Sequence, residues 1–356
     1  MIVGGGPAGI STWLHLQRYA PELAEKTILI EKEYYPRDKL CGGALSGWSD
    51  KVFQQLGLDI DVPCVWIDYV ECRLGTDADC LHQPRFFRVV RRKDFDQALA
   101  KNAIKRGITL RQGETFINFR RKNDALEVKT DQNCYRTKIL IGADGSLSNV
   151  RKTMQLKHSA NLASTIEVFA PTNPRFDPEF NEKKIVFDYT SLKEGLQGYI
   201  WHFPCIDNSQ AFMNHGIGDF HLDKNQPKAN IKEIFREELE KRQIHRPVNT
   251  WSGYPIRWLS EGELVSQPNI LLVGDASGID PLLGGGIHLA LSYGDLAATA
   301  IMDAFKNNDF SFHDYRNRID DHIVGKYIKK LTYLAGEIYN EKISPLKVIR
   351  EIFSKK

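Results

Sequence analysis

Gly4, Gly6 and Gly9, spaced G-x-G-x-x-G between the apolar pair Ile2-Val3 and a helix-forming run, are residues that can do chemistry on a phosphorylated ligand. Gly4 allows a tight turn out of a strand, Gly6 lets a pyrophosphate approach the main chain, and Gly9 lets the next helix pack closely on the sheet. Pro7 and Ala8 stand at the start of that helix, whose unpaired N–H groups and positive dipole end would face the phosphates. Glu31 follows the apolar strand Thr27–Ile30, where its carboxylate can accept both ribose hydroxyls, and Lys32 stands beside it. The pattern predicts a bound dinucleotide gripped by this turn.

Three later segments fit with the first. Arg92-x-x-Phe95-Asp96 opens a helix after a strand, where the Arg92 guanidinium either reaches a cofactor phosphate or ribityl oxygen or lies on the surface. Gly142-Ala143-Asp144-Gly145, followed by Ser148 and Arg151, sets a carboxylate at a strand-to-helix turn. Asp275 follows the strand Ile270–Val273, so it sits at the carboxyl end of a sheet, the edge where α/β folds hold ligands. In Asp280-Pro281-Leu282-Leu283-Gly284-Gly285-Gly286-Ile287, three glycines let a flat ring lie on the main chain, and the helix starting near Ile287 points its positive end there. That dipole would favour the anion of a reduced flavin. Tyr199, Trp201 and Phe203 alternate with Ile200 and His202, so a strand puts three rings on one face. That face is either the wall of an apolar ligand site or the core of a sheet. His202, on the other face, reads as structural.

As a set, GGGPAG, RxxFD, GADGSLSNVRK and GDASGIDPLLGGGI resemble flavoproteins of the p-hydroxybenzoate hydroxylase fold. Within that fold, Arg37-Asp38-Lys39-Leu40-Cys41-Gly42-Gly43 resembles the R-x-K-x-C-G-G stretch of geranylgeranyl reductases. Tyr199-Ile200-Trp201-His202-Phe203-Pro204 resembles their Y-x-W-x-F-P motif, which lines the isoprenoid pocket and is followed by G-x-G, here Gly216-Ile217-Gly218. The resemblance implies FAD, with contacts at Ala8, Glu31, Gly42, Gly43, Ala44, Arg92, Asp275, Gly285, Gly286 and Ile287. It implies a substrate held by Tyr199, Trp201, Phe203, Gly216 and Gly218, with Cys41 facing flavin or substrate. By chemistry alone, a cysteine beside two glycines in a cofactor loop is a proton donor or a compact packing residue.

The implied activity is reduction of C=C bonds in an isoprenoid, with hydride passing from flavin N5 to one carbon and a nearby acid protonating the other. An unactivated alkene accepts hydride poorly, so alignment and a water-poor pocket would carry much of the acceleration. The alternative is a monooxygenase or halogenase working through a flavin hydroperoxide, because the halogenase W-x-W-x-I-P motif has nearly the same shape as residues 199–204. A non-catalytic flavin or lipid carrier is a third reading. No second nicotinamide-type fingerprint follows Glu31, so electrons are expected from outside the chain, either from NAD(P)H bound transiently or from a reductase partner.

The elements that must position these residues predict a mixed α/β (α+β) fold. A Rossmann-like FAD-binding domain is expected from 1–60, 85–153 and 265–305, with an inserted antiparallel-sheet substrate domain from 61–84 and 154–264. A helical segment, 306–356, follows. Only three residues precede Gly4, so either the first strand is short or the sequence lacks a few leading residues. A nucleotide fold starting at residue 2 leaves no room for a cleaved signal peptide. No uncharged apolar run is long enough to span a membrane. The net charge of +3 is too mild to argue for nucleic acid. The six cysteines lack C-x-x-C pairing and metal-ligand spacing, which points to free thiols, no metal and a reducing cytoplasm. In the tail, Val324, Ile328, Leu331, Leu334 and Ile338 share one helical face among basic residues. Such a helix rests on an anionic membrane surface or packs its stripe on the domain. Nothing in the pattern sets the oligomeric state.

Overall fold

In the computed structural model, which describes residues 1–156, 161–245 and 248–354, two sheets carry the site. The first has six strands in the order Ser266–Gln267, Ile270–Leu272, Leu140–Gly142, Ile2–Val3, Ile28–Glu31 and Thr109–Gln112. All its pairings are parallel except that of the edge strand Ser266–Gln267. Its central strands Ile2–Val3 and Leu140–Gly142 are buried along their whole length, as a parallel sheet covered on both faces requires. The helices Pro7–Tyr19 and Gly286–Asn307 pack on it and on each other. A glycine lets them meet: a Cβ on Gly294 would fall 2.4 Å from Ser11 Oγ.

The second sheet has eight strands, in the order Ile256–Arg257, Leu162–Pro171, Gln210–Asp219, Gly198–Asp207, Lys184–Asp188, Cys64–Leu74, Asp77–Val90 and Ala44–Ser46. It is antiparallel except where Lys184–Asp188 runs parallel to Cys64–Leu74. The hairpin of Gly198–Asp207 and Gln210–Asp219 closes on Asn208 and Ser209, both with positive φ (48° and 63°). A two-residue turn of that hand matches the twist of its strands. One face packs Ile200 and Ile217 against Ile234, Phe235 and Leu239 of the helix Ile231–Lys241, and the other carries Tyr199, Trp201 and Phe203. A three-stranded sheet, Phe116–Lys122, Ala125–Thr130 and Cys134–Thr137, flanks the nucleotide sheet.

The expected boundary at residue 85 falls inside a strand. Asp77–Val90 runs unbroken through Gln83-Pro84-Arg85, a stretch whose composition reads as a break. A register shift opposite Ile67–Tyr69 absorbs it: Arg85 takes φ 54° and donates its N–H to Asp68 Oδ1 (2.8 Å) instead of to the ladder. Such bulges bend a strand without ending it. Ala44–Ser46, placed by sequence within the nucleotide-binding part, pairs with Arg88-flanking residues Phe87 and Val89 in the eight-stranded sheet.

The tail forms the helices Tyr315–Asp321, Ile323–Tyr339 and Pro345–Ser354. Val324, Ile328, Leu331 and Ile338 are buried against the protein and Leu334 is partly buried on the same core, so the apolar stripe is consumed by packing. Among the described residues, no helix is long and apolar enough to cross a membrane. All six cysteines are unpaired, and no cluster of metal-ligating side chains occurs among the described residues.

Candidate active site

A cavity of about 1520 Å³ runs from the Gly4–Gly9 turn to the aromatic face of the eight-stranded sheet. A site for a single drug-sized ligand occupies roughly 300–1,000 Å³, so this cavity has room for a cofactor and a second molecule. Gly4, Gly6, Pro7 and Ala8 line one end. Gly4 has φ +105°, and a Cβ there would strike the Ala143 carbonyl oxygen at 2.3 Å. A Cβ on Gly6 would meet nothing nearer than Arg37 at 3.8 Å, which leaves an open approach to the main chain. Gly9 does not line the cavity. It is the contact between helix and turn, its added Cβ falling 2.0 Å from Gly4 O.

Charge alternates along this end. Glu31 accepts the N–H groups of Gly5 (2.8 Å) and Glu33 (3.1 Å) and lies 3.4 Å from Arg37 Nη2. Asp96, fully buried, holds Arg92 in a bidentate pair at 2.8 Å for both bonds and also lies 3.1 Å from Arg37 Nη1. One carboxylate thus holds two guanidiniums side by side at the cavity wall, an arrangement suited to a pyrophosphate. Arg37 Nε is buried without a hydrogen-bond partner among the described residues. Lys32 sits at the rim, its side chain 68% exposed and 3.8 Å from Glu33.

The Gly-rich segment is held from within. Asp280, fully buried, accepts N–H groups from Leu282 (3.0 Å), Leu283 (2.6 Å) and Gly284 (3.2 Å) on Oδ1 and from Gly285 (3.0 Å) on Oδ2. This opens the main chain toward the cavity, where Gly285, Gly286, Ile287 and Asp275 form one wall. A Cβ on Gly286 would lie 3.3 Å from Asp275 Oδ1, so the two share one edge. Asp144, by contrast, directs its carboxylate to its own helix start, accepting Ser148 Oγ (2.5 Å) and the N–H groups of Asn149 (2.7 Å) and Val150 (3.1 Å). The glycine cradle, the paired arginines with an unpartnered Nε, and the open Gly284–Gly286 wall together fit FAD.

Cys41, Gly42, Gly43 and Ala44 line the middle of the cavity. Gly43 takes φ +78° with its missing Cβ only 2.1 Å from Val90 O, and a Cβ on Gly42 would meet the Phe203 ring at 2.9 Å. The cysteine loop and the aromatic wall therefore form one surface. A polar chain ties them: Trp201 Nε1 donates to Asn214 Oδ1 (2.9 Å), and Asn214 Nδ2 donates to Cys41 O (3.2 Å) and Glu167 Oε2 (3.4 Å). Cys41 N–H donates to Glu167 Oε1 (3.3 Å), while the Cys41 sulfur accepts Gly43 N–H (3.4 Å). Glu167 lines the cavity, and burial pushes its carboxyl above the usual range despite the Asn214 and Cys41 donors. Burial likewise lowers the Lys39 ammonium to about 8, against the pull of Asp275. Its Nζ stands 3.0 Å from the centroid of the Tyr254 ring.

Tyr199, Trp201 and Phe203 line the remaining end, joined by Phe187. Gly216 and Gly218, expected to contact substrate, lie outside the lining. A Cβ on Gly216 would fall 2.0 Å from the Trp201 indole, and one on Gly218 would lie 3.8 Å from it. These glycines let the indole lie flat over the neighbouring strand, so they shape the wall from behind. His202 faces away, buried with its Nδ1 2.7 Å from His215 Nδ1, and burial holds both rings well below the usual histidine range.

Several residues of the site escaped the sequence reading. Arg37, Lys39, Asp96 and Asp280 lie inside the quoted motifs, whose pattern does not mark them as site residues. Glu167 carried a readable signal, a lone acid in the apolar strand Leu162–Pro171. Phe187 and His288 carried none. Burial holds the His288 imidazole down at about 4, between Trp48 and Tyr327 at ring distances of 5.0 and 5.7 Å.

The FAD binding domain family matches residues 1–292. Digeranylgeranylglycerophospholipid reductase 3 of Methanosphaera stadtmanae is 27% identical over 359 residues, covering 96% of this chain and 86% of that protein. The crystal structure of a geranylgeranyl bacteriochlorophyll reductase-like protein from Thermoplasma acidophilum superimposes with a TM-score of 0.76 at 21% identity, covering all of this chain and 91% of that one. PqsL, a probable FAD-dependent monooxygenase from Pseudomonas aeruginosa, superimposes with a TM-score of 0.70 at 13% identity, covering 99% and 98%. At those identities the superpositions establish a shared fold, while the match over most of the sequence establishes the family. The chain belongs to the FAD binding domain family and is an FAD-dependent oxidoreductase.

Proposed function

We propose that this protein reduces C=C bonds of an isoprenoid lipid of the geranylgeranyl type. The observation that carries the reading is the meeting of Cys41-Gly42-Gly43 with the Tyr199–Phe203 wall, where Gly42 has room only for hydrogen because Phe203 lies on it. The digeranylgeranylglycerophospholipid reductase relative supports the same substrate class. Bound FAD, once reduced, supplies the hydride that goes to one alkene carbon.

The chain does the rest. Gly4–Ala8, Glu31, Arg37 and Arg92 hold the dinucleotide end, and Asp275 with Gly285–Ile287 holds the edge nearer the ring. The apolar wall removes water and aligns the alkene, which is where an unactivated double bond needs help. The second carbon takes a proton, and Cys41 and Glu167 are the acids at that end of the cavity. Burial favours the protonated form of Glu167, which the Cys41 main chain holds in place. Net, the alkene would gain two hydrogens, one as the hydride that reduced FAD supplies and one as the proton from the chain's acid. Electrons return from outside the chain, through transient NAD(P)H or a reductase partner. The lipid arrives in a membrane or on a carrier, and contact with a membrane surface belongs to this proposal.

The test is product analysis. The holoenzyme, reduced with dithionite and kept free of oxygen, is incubated with a geranylgeranyl lipid, and the extract is weighed by mass spectrometry. Products heavier by pairs of hydrogens support the reading. An unchanged lipid, together with hydroxylation or halogenation of an aromatic substrate once oxygen enters, assigns the chain to the oxygen-using branch of the fold.

A further inference from the structure

Two cavities meet at a pair of rings. Phe86, on the strand Asp77–Val90, and Phe353, on the helix Pro345–Ser354, line both the main cavity and a separate pocket of about 220 Å³, and Gln83 stands beside them in both linings. The far pocket is completed by Leu81, His82 and Ser354. The two rings stand edge to face, 5.5 Å between centroids at 88°. Phe353 also meets Phe87 edge-on at 5.5 Å and Phe187 at 6.0 Å, and Phe187 in turn packs on Phe203 at 5.5 Å. The rings thus continue from the Cys41 loop along the wall to the partition.

The partition is anchored independently of its own rings. Val348 and Ile349 bury the helix on the sheet, and Arg350 pairs with the Asp79 carboxylate. Phe353 is itself only partly buried, so shortening it removes the stop without removing the core that docks the helix.

We infer that Phe86 and Phe353 form the end stop of the substrate cavity and set the length of isoprenoid chain that fits. The inference rests on the isoprenoid reading above. An apolar chain gains affinity with every methylene it buries until it meets a packed wall, beyond which further carbons cost strain or stay in water. The pocket behind the rings gives a longer chain somewhere to go once a ring is removed.

The test is a length ladder of prenyl alcohols (geraniol, farnesol, geranylgeraniol, solanesol) titrated into the FAD-loaded protein in detergent, with tryptophan fluorescence as the readout. Affinity should rise with length to a limit and then level or fall. Phe353→Ala should move that limit to a longer alcohol, binding the first one beyond the wild-type limit about tenfold more tightly. Phe353→Trp should move the limit to a shorter one, and Phe86→Ala should reproduce the lengthening from the other side of the partition. An unchanged limit in all three variants, with the alcohols still binding, overturns the end stop and leaves the isoprenoid reading standing. Failure of the FAD-loaded wild type to bind any member of the ladder overturns the isoprenoid reading itself.

Discussion

The two ends of the cavity are built from different materials. Around Gly4–Ala8 and Gly284–Gly286 the wall is main chain and fixed charge, with Gly4 and Gly285 having no room for a Cβ and carboxylates each committed to several N–H groups. Around Phe86, Phe187, Phe203 and Phe353 the wall is side chain, rings from four separate segments in contact, Phe86–Phe353 and Phe187–Phe203 edge to face and Phe187–Phe353 tilted. Main-chain walls serve a ligand that never changes, because an added Cβ either strikes the main chain, as at Gly4, or takes the space left for the ligand, as at Gly6. Ring walls serve a ligand whose length and shape vary within a family, because one substitution remodels the space and leaves the fold intact. Substitutions at the cofactor end should therefore abolish binding, and those at the ring end should change what is bound.

Gly9→Ala should have the largest effect. Its methyl would stand 2.0 Å from the Gly4 carbonyl oxygen, a main-chain atom that cannot swing away. The expected cost is about 3 kcal/mol or more, read as a protein that melts earlier and emerges colourless from a desalting column. A yellow protein of unchanged Tm would break the contrast at its strongest point.

Asp280→Ala comes next, leaving four N–H groups, one buried and three part-buried, without their acceptor. It should cost roughly 2–3 kcal/mol, since part of that debt is recovered by water. The loss should appear in FAD affinity by flavin fluorescence titration, with Asp280→Asn recovering part of it.

At the ring end, Trp201→Ala should keep FAD and weaken isoprenoid binding by roughly 2 kcal/mol, or about thirtyfold. KM should rise more than kcat falls. Equal loss of FAD and substrate would mean that the two ends are not separable.

At fixed pH the smallest change is expected at Lys39, whose signature is a pH dependence. Burial lowers its ammonium from an ordinary 10.5 to about 8, with Asp275 pulling up and Arg92 and Arg37 pushing down. Between those values the unfolded chain holds a proton that the folded one has released, so stability should rise with pH across that window. Thermal melts of FAD-free protein should show the slope, and Lys39→Met should flatten it.

The same contrast explains what the sequence discloses. The cofactor end is local: Gly4, Gly6, Gly9 and Glu31 lie within one strand–helix–strand unit, so their spacing alone carries the geometry. Asp275 and the Gly-rich wall follow a strand end in the same way. The ring end is non-local. Phe353 and Phe86 lie far apart in the chain, and no periodicity links them. Gly216 and Gly218 read as ligand contacts because a motif shows which residues recur, not which face of a neighbouring indole they support. The basic tail was open between membrane and domain until packing placed Val324, Ile328, Leu331 and Ile338 inside. The boundary expected at residue 85 falls at a bulge inside one strand, and only the register shows that the strand continues.

The most direct test follows the flavin spectrum of the reduced holoenzyme in a sealed, oxygen-free cuvette when a geranylgeranyl lipid is added. The account predicts that the oxidised flavin band returns in proportion to the double bonds reduced, and that Trp201→Ala slows its return while FAD stays bound. A spectrum that stays reduced with every isoprenoid offered, and recovers only when oxygen is admitted, would contradict it.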